Sequence, residues 1–334
     1  MIETVRGPIS ETELGVVSAH EHLFIDMRGC VTKTGNEPDY FYEDIRMDNR
    51  GLVISDPYAI LDNALMESTE DAVNEMLWFK EAGGNTIVDC TLDEIGRDVL
   101  ALKEVSERTG VNIIAGCGNY YDIAHPQFVE NETEDQLAQR MLCDIEVGIA
   151  GSGIKAGVIG EIGTSAVITD NEKKVLRGAG IAAAKTKLPV HVHTDLYTEN
   201  GFEVLDILTG LGVSESKICI DHVDVLLRPD YMRALMDRGA YIEFDNFGKE
   251  FYVNADRRFA YDLERIDVLF ELIKSGYGSQ ILISNDICLK TMLRTYGGPG
   301  YAHILCTVRK MAKERGIEKE YEQILTQNVK NFFK

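Results

Sequence analysis

Five of the seven histidines fall where short β-rich runs give out. His20 and His22 lie in SAHEHL, His191 and His193 in PVHVHTD, and His222 in CIDHVD. A spacing of two on a strand aims both imidazoles at one face, with Glu21 between them pointing away. Two carboxylates hold comparable positions: Glu161 in GVIGEIGTS, and Asp286 at the tip of ILISNDIC, a run so apolar that an aspartate there needs a partner. Neutral imidazoles and carboxylates converging on one point are the donors of a divalent-metal site. For any one histidine, a hydrogen bond inside a core is the competing explanation. Five run ends offering such donors together make coincidence a poor account. Four histidines plus two carboxylates exceed what one tetrahedral ion with an open position uses. Two ions about 3.5–4 Å apart, sharing a bridging carboxylate and a bridging hydroxide, would use all six. N and O donors suit Zn²⁺, with Mn²⁺, Co²⁺ or Fe²⁺ as alternatives. The cysteines are poor ligands: Cys219, three residues before His222 on a strand, faces the opposite way, and Cys288 reads as packing.

Such residues need a frame that brings run ends together. Eight β-rich runs recur, at Gly15–His22, Asn85–Thr91, Val111–Gly118, Ala156–Gly163, Pro189–Thr194, Lys217–Val223, Ala240–Asn246 and Gln280–Asp286. Amphipathic stretches such as Asp71–Ala82, Asp98–Thr109, Thr133–Ile149 and Ile266–Ser275 alternate with them, their apolar positions three and four apart as helices on a sheet require. This rhythm predicts an α/β fold, a single (β/α)8 TIM barrel over residues 1–334, whose strand ends share one rim. A doubly wound open sheet is the alternative. Residues 1–14, with a Gly7-Pro8 turn, predict a short N-terminal hairpin closing the barrel bottom. Residues 27–58, with Gly29, Gly35, Pro38, Tyr40, Phe41 and Tyr42, are long for a βα connection. They predict a cover over the barrel mouth, or else an inert surface excursion.

The chain has 334 residues, 34 basic against 55 acidic, for a net charge of −21. A field of that sign repels nucleic acid and anionic membranes, so neither is an expected partner. Scattered cysteines, no apolar leader and no run approaching 18 apolar residues predict a cytoplasmic protein.

HEH near the N-terminus, TIVD followed by IGRD, AGVIGEIGTS, PVHVHT, IDHVD and SNDIC together resemble the phosphotriesterase family of the amidohydrolase superfamily, most closely its phosphotriesterase homology proteins. The resemblance runs nearly the whole chain with its motifs in order. It implies a barrel with a binuclear centre: His20, His22 and Asp286 on one ion, His193 and His222 on the other, Glu161 bridging. Many members bridge with a carbamylated lysine, but Lys155 lies about 20 Å from Glu161 along an extended strand, too far to serve. His191 stays open as ligand, supporting residue or pocket wall. Phosphotriesterases proper place a histidine after the seventh-strand aspartate; Asn246 stands there, leaving Asp224 without a relay partner. A homodimer is implied by the family alone.

The chemistry expected is hydrolysis by the bridging hydroxide, with Asp286 as catalytic acid/base as well as ligand. Lys249, Lys290 and Arg294 follow the last two strands, where barrels often bind phosphate, and suggest a small anionic substrate. Solvated surface lysines and arginines are the alternative, and Arg257 and Arg258 read as a helix surface. Tyr120 and Tyr121 line the pocket or pack in the flank. A lactone, in particular a phosphorylated sugar lactone, is the favoured substrate, with an N-acyl amide and a phosphate ester or phosphotriester behind it. A catalytically silent metal-binding barrel is the reading from another class.

Overall fold

A computed structural model describes residues 1–33 and 39–334. Eight strands form one parallel sheet: β1 Val17–Glu21, β2 Thr86–Asp89, β3 Asn112–Cys117, β4 Val158–Gly163, β5 Val190–His193, β6 Ile218–Ile220, β7 Tyr241–Phe244 and β8 Ile281–Ile283. Each lies inside one of the eight runs read from sequence, and spatial order follows chain order, as successive right-handed crossovers require. The sheet curls into a nearly closed barrel. Its helices α1 Thr69–Glu81, α2 Val99–Thr109, α3 Glu134–Glu146, α4 Asp170–Thr186, α5 Gly201–Gly210, α6 Pro229–Asp237 and α7 Asp262–Lys274 pack outside.

Alternation sorts the strands into two cores. Ile87, Ile113, Ile159, Val190, Val192, Ile220, Ile242 and Ile283 face the helices in the larger cluster. Val17, Ala19, Val88, Ile114, Val158, Cys219, Tyr241 and Leu282 fill the barrel together with Ile2, Leu14, Val329 and Phe332. The bottom is therefore plugged from both chain ends. Strands Ile2–Thr4 and Gly7–Ile9 pair as the expected hairpin, but its turn is Val5-Arg6; Gly7 and Pro8 open the second strand. From the other end, the Phe332 ring lies 5.2 Å from that of His191.

The last seam, between β8 and β1, is closed mainly by one side chain, beside a backbone bond from the Asp286 N–H to the His20 carbonyl. The buried Glu21 carboxylate accepts from Ser18 Oγ at 2.6 Å, from the Asn285 N–H at 2.9 Å and Nδ2 at 2.8 Å, and from the Ile287 N–H at 2.9 Å. Glu21 does turn away from the histidines beside it, but into the seam.

Candidate metal centre

Regular alternation would not build this site. In β1, Val17 and Ala19 point into the barrel, so an unbroken strand would turn His20 and His22 outward with Ser18. A register shift between Ser18 and Glu21 reverses the parity and brings both imidazoles inside. β4 repeats the device: Val158 points in, the register shifts between Ile159 and Ile162, and Glu161 then points in. Gly160 permits this, since a Cβ there would meet the His191 carbonyl oxygen at 2.2 Å and its φ is +113°. On β6 and β8 the change comes just past the strand. His222 and Asp286 have φ of 63° and 45°, a left-handed conformation costing about 1–3 kcal/mol at a non-glycine residue. The Asp245 carboxylate holds the His222 N–H at 2.9 Å, and the His20 carbonyl accepts the Asp286 N–H at 3.3 Å. Only β5 is regular, with His191 and His193 both inward at different depths.

This overturns the reading of Cys219. It faces the barrel interior rather than away, because β6 ends at Ile220 and the left-handed His222 is no longer in phase with it. Its Sγ lies 3.9 Å from Glu243, in the layer below the rim.

At the rim, the two oxygens of Glu161 divide between two histidine pairs. Oε1 lies 3.5 Å from His20 Nε2 and 3.2 Å from His22 Nε2; Oε2 lies 3.2 Å from His193 Nδ1 and 3.3 Å from His222 Nε2. Asp286 Oδ1 joins the first pair, 3.1 Å from His22 Nε2 and 3.9 Å from His20 Nε2. Donors sharing one tetrahedral ion at about 2.0–2.1 Å stand about 3.3 Å apart, so these spacings suit a shared ion. His193 Nδ1 and His222 Nε2, 2.7 Å apart, are closer than this by about 0.6 Å. Both ring nitrogens of His20 are buried without a hydrogen-bond partner, and an ion would give Nε2 the partner it lacks. The far nitrogens are oriented from behind, His22 Nδ1 by Thr91 Oγ1 at 2.9 Å and His222 Nδ1 by Asp245 at 3.0 Å. The donor set fits divalent cations.

Burial pushes the Glu161 and Asp286 carboxyls up, but neighbouring cations outweigh it and hold both well below the usual carboxylate range. For Glu161 the main opposing charge is His20; for Asp286 it is Lys249. Lys249 is buried and its ammonium bonds Asp286 Oδ2 directly. His191 lies one layer down, its Nδ1 3.1 Å from Asp221 and 3.3 Å from Glu243. Burial pushes that imidazole down, but the two carboxylates carry it up to about 9.

The rim opens into a cavity of about 300 Å³ lined by His22, Glu161, His193, His222, Asp286, Lys249 and Tyr120, with Met27, Pro57 and Tyr58 from the long 27–58 connection. That segment thus contributes wall, while Gly35 and Pro38 lie outside the described residues. The Tyr120 hydroxyl is 3.2 Å from His193 Nδ1, and Tyr121 stacks on the His193 ring.

Two expected substrate residues lie elsewhere. Lys290 pairs with Asp62, and Arg294 stacks on Trp78 at 4.4 Å. Neither lines the cavity. Two short 3-10 turns, Lys290–Met292 and Arg294–Tyr296, carry them down the flank towards α1. The reverse holds for Arg257: Tyr252–Asn254 and Arg257–Arg258 form a two-stranded ribbon rather than a helix, and Arg257 lines the cavity. Asp224 is bound to Asn246 and to the buried Arg265 and stands outside the cavity wall.

Residues 1–333 match the Phosphotriesterase family. The chain is 34% identical to an N-acetyltaurine hydrolase of Xenopus tropicalis, covering 99% of this chain and 97% of the relative. Its fold is similar to that of a resiniferatoxin-binding protein from Rhodobacter sphaeroides, with a TM-score of 0.96, 31% identity and coverage of 99% and 94%. A lactonase from Listeria monocytogenes follows, with a TM-score of 0.82, 27% identity and coverage of 100% and 98%. A match of this length, on a barrel of this architecture and among hydrolases, carries one conclusion: the chain is a hydrolase and belongs to the phosphotriesterase family.

Proposed function

We propose that this hydrolase works with two divalent ions at the barrel mouth and cleaves the amide bond of a small N-acyl compound. The observation that carries the metal reading is the division of the Glu161 oxygens between two histidine pairs. His20, His22 and Asp286 would hold one ion, His193 and His222 the other, with Glu161 shared. Such ions, Zn²⁺ or else Mn²⁺, Co²⁺ or Fe²⁺, supply an activated water and a polarised scissile carbonyl. Asp286 takes the proton of the attacking water and returns it to the leaving nitrogen. Lys249 fixes the orientation of that carboxylate through Oδ2. Phe251, Val253, Phe259 and Leu289 form an apolar wall that limits water around the acyl chain.

The amide reading takes precedence over a phosphorylated lactone because Lys290 and Arg294, the intended phosphate clamp, face away from the cavity. The similarity to an N-acetyltaurine hydrolase supports it. Similarity to a lactonase makes an unphosphorylated lactone the second reading. Metal per chain by plasma mass spectrometry, on protein expressed with Zn²⁺ or Mn²⁺, tests the centre. We expect about two equivalents, falling to about one or fewer in Glu161→Ala. Metal-free, inactive protein under every loading condition would overturn the proposal. With metal bound, parallel screens of N-acyl amides and lactones decide the substrate class.

A further inference from the structure

Among the described residues the cavity wall carries one lysine and one arginine, and only one of them is committed. Lys249 is bonded to Asp286 at the floor. Arg257 sits at the mouth, exposed, on the ribbon of residues 252–258. Its neighbour Arg258 is tied to Glu264 at 3.3 Å, whereas among the described residues no carboxylate pairs with Arg257. The other charged side chains on the wall, Asp56, Glu161, Asp195 and Asp286, are all acidic. The Asp195 carboxylate accepts the Tyr197 N–H at 3.1 Å. In a chain of net charge −21, an arginine without a carboxylate partner at the opening of an acidic cavity is, among the described residues, the basic side chain of the wall left free to pair with an anion away from the floor. The guanidinium also presents a planar fork suited to oxyanions. The apolar side chains Phe251, Val253 and Phe259 belong to the same ribbon or its base. Arg257 therefore stands across a short apolar stretch from the metal-type cluster.

We infer that Arg257 is a specificity-determining residue that pairs with a sulfonate or carboxylate on the substrate, at the end remote from the scissile bond. The inference rests on the hydrolase reading for what happens at the floor, but the anion contact itself needs no chemistry. The substrate class is then an acyl amide that carries an anionic group on the part remote from the scissile bond.

The test separates binding from turnover. Calorimetry on metal-loaded protein measures the affinity of pentanesulfonate, which cannot be cleaved, and of pentanol, its neutral counterpart. In Arg257→Gln the sulfonate should bind about tenfold more weakly and pentanol unchanged, with Arg257→Lys recovering part of the loss. Sulfonate affinity in the native protein should fall with added salt, and this dependence should flatten in Arg257→Gln. In parallel, KM for N-acetyltaurine should rise about tenfold in Arg257→Gln with kcat kept, while N-acetylethanolamine is unaffected. The inference is overturned if the native protein binds sulfonate and alcohol alike, or if Arg257→Gln binds sulfonate as tightly as the native chain. Binding of sulfonate through Arg257 with no amide cleavage by the metal-loaded protein would uphold the anion contact and sink the amide reading alone.

Discussion

Replacing Glu21 by glutamine tests whether the barrel's last seam is held by a single carboxylate. Glu21 Oε1 takes three donors, from Ser18 Oγ and from the backbone and side chain of Asn285, and Oε2 takes the Ile287 N–H. Glutamine keeps one acceptor oxygen. If that oxygen retains its three donors, the new amide group faces the Ile287 N–H, donor against donor. Two buried donors are then unsatisfied, at about 1–3 kcal/mol each, for a loss of about 2–6 kcal/mol. Unfolding entropy of about 2.1 cal/mol/K per residue gives about 0.7 kcal/mol/K for a chain this long, so the melting temperature should fall by about 3–9 °C. Differential scanning calorimetry on metal-loaded protein reads this directly. Because the seam flanks His20, His22 and Asp286, metal affinity should weaken by about tenfold as well. A melting temperature within a degree of the native value would refute the argument, showing that the seam between β1 and β8 does not depend on this carboxylate.

Two other perturbations have defined directions. Asp286→Asn should lower kcat by about 10²–10⁴-fold while metal at the His193–His222 side is retained, measured by single-substrate kinetics beside metal analysis; unchanged kcat would leave Asp286 without an acid/base role. Glu75, buried on α1, accepts the Arg294 N–H, and burial carries its carboxyl up to about 7 against that bond. The folded chain thus holds this proton more tightly than the unfolded chain, where a glutamate titrates near about 4.3. The stability it contributes is full below that value and lost as pH rises through about 7, by at most about 4 kcal/mol. Glu75→Gln should accordingly be more stable than the native chain at pH 8, and this advantage should shrink at pH 5; urea midpoints at the two pH values with the opposite order would show the sign to be wrong.

The barrel was legible because β-branched runs and amphipathic stretches alternate regularly, and each of the eight runs contains its strand. The donor types at the rim were legible as well, since histidines and carboxylates cluster at those run ends. What alternation could not supply was direction. Period-two reasoning aligned His20 with His22 correctly, yet the register shifts that turn them inward depend on neighbouring strands. The left-handed turns at His222 and Asp286 likewise depend on tertiary hydrogen bonds, which is why Cys219 was placed on the wrong face. Nearness in sequence to β8 points Lys290 and Arg294 at the mouth, but their turns lead down the flank. Arg257 did leave a signal: Asn254-Ala255-Asp256 between alternating residues reads as a hairpin turn, and a hairpin beyond β7 reaches the mouth. The seam role of Glu21 needed the partner strand, which no local pattern contains.

The ribbon of residues 252–258 has a different standing from the floor beneath it. Val253 and Arg257 reach the cavity, while the exposed Tyr252 and Arg258 lie outside the buried clusters that hold the barrel together. Substitutions at the floor disturb donors fixed by five strands at once, whereas substitutions on the ribbon's outer positions cost the fold little. Selection, natural or in the laboratory, can therefore explore substrates by rewriting this one short ribbon, and a library confined to it should yield new specificities at a far higher rate than one spread over the rim.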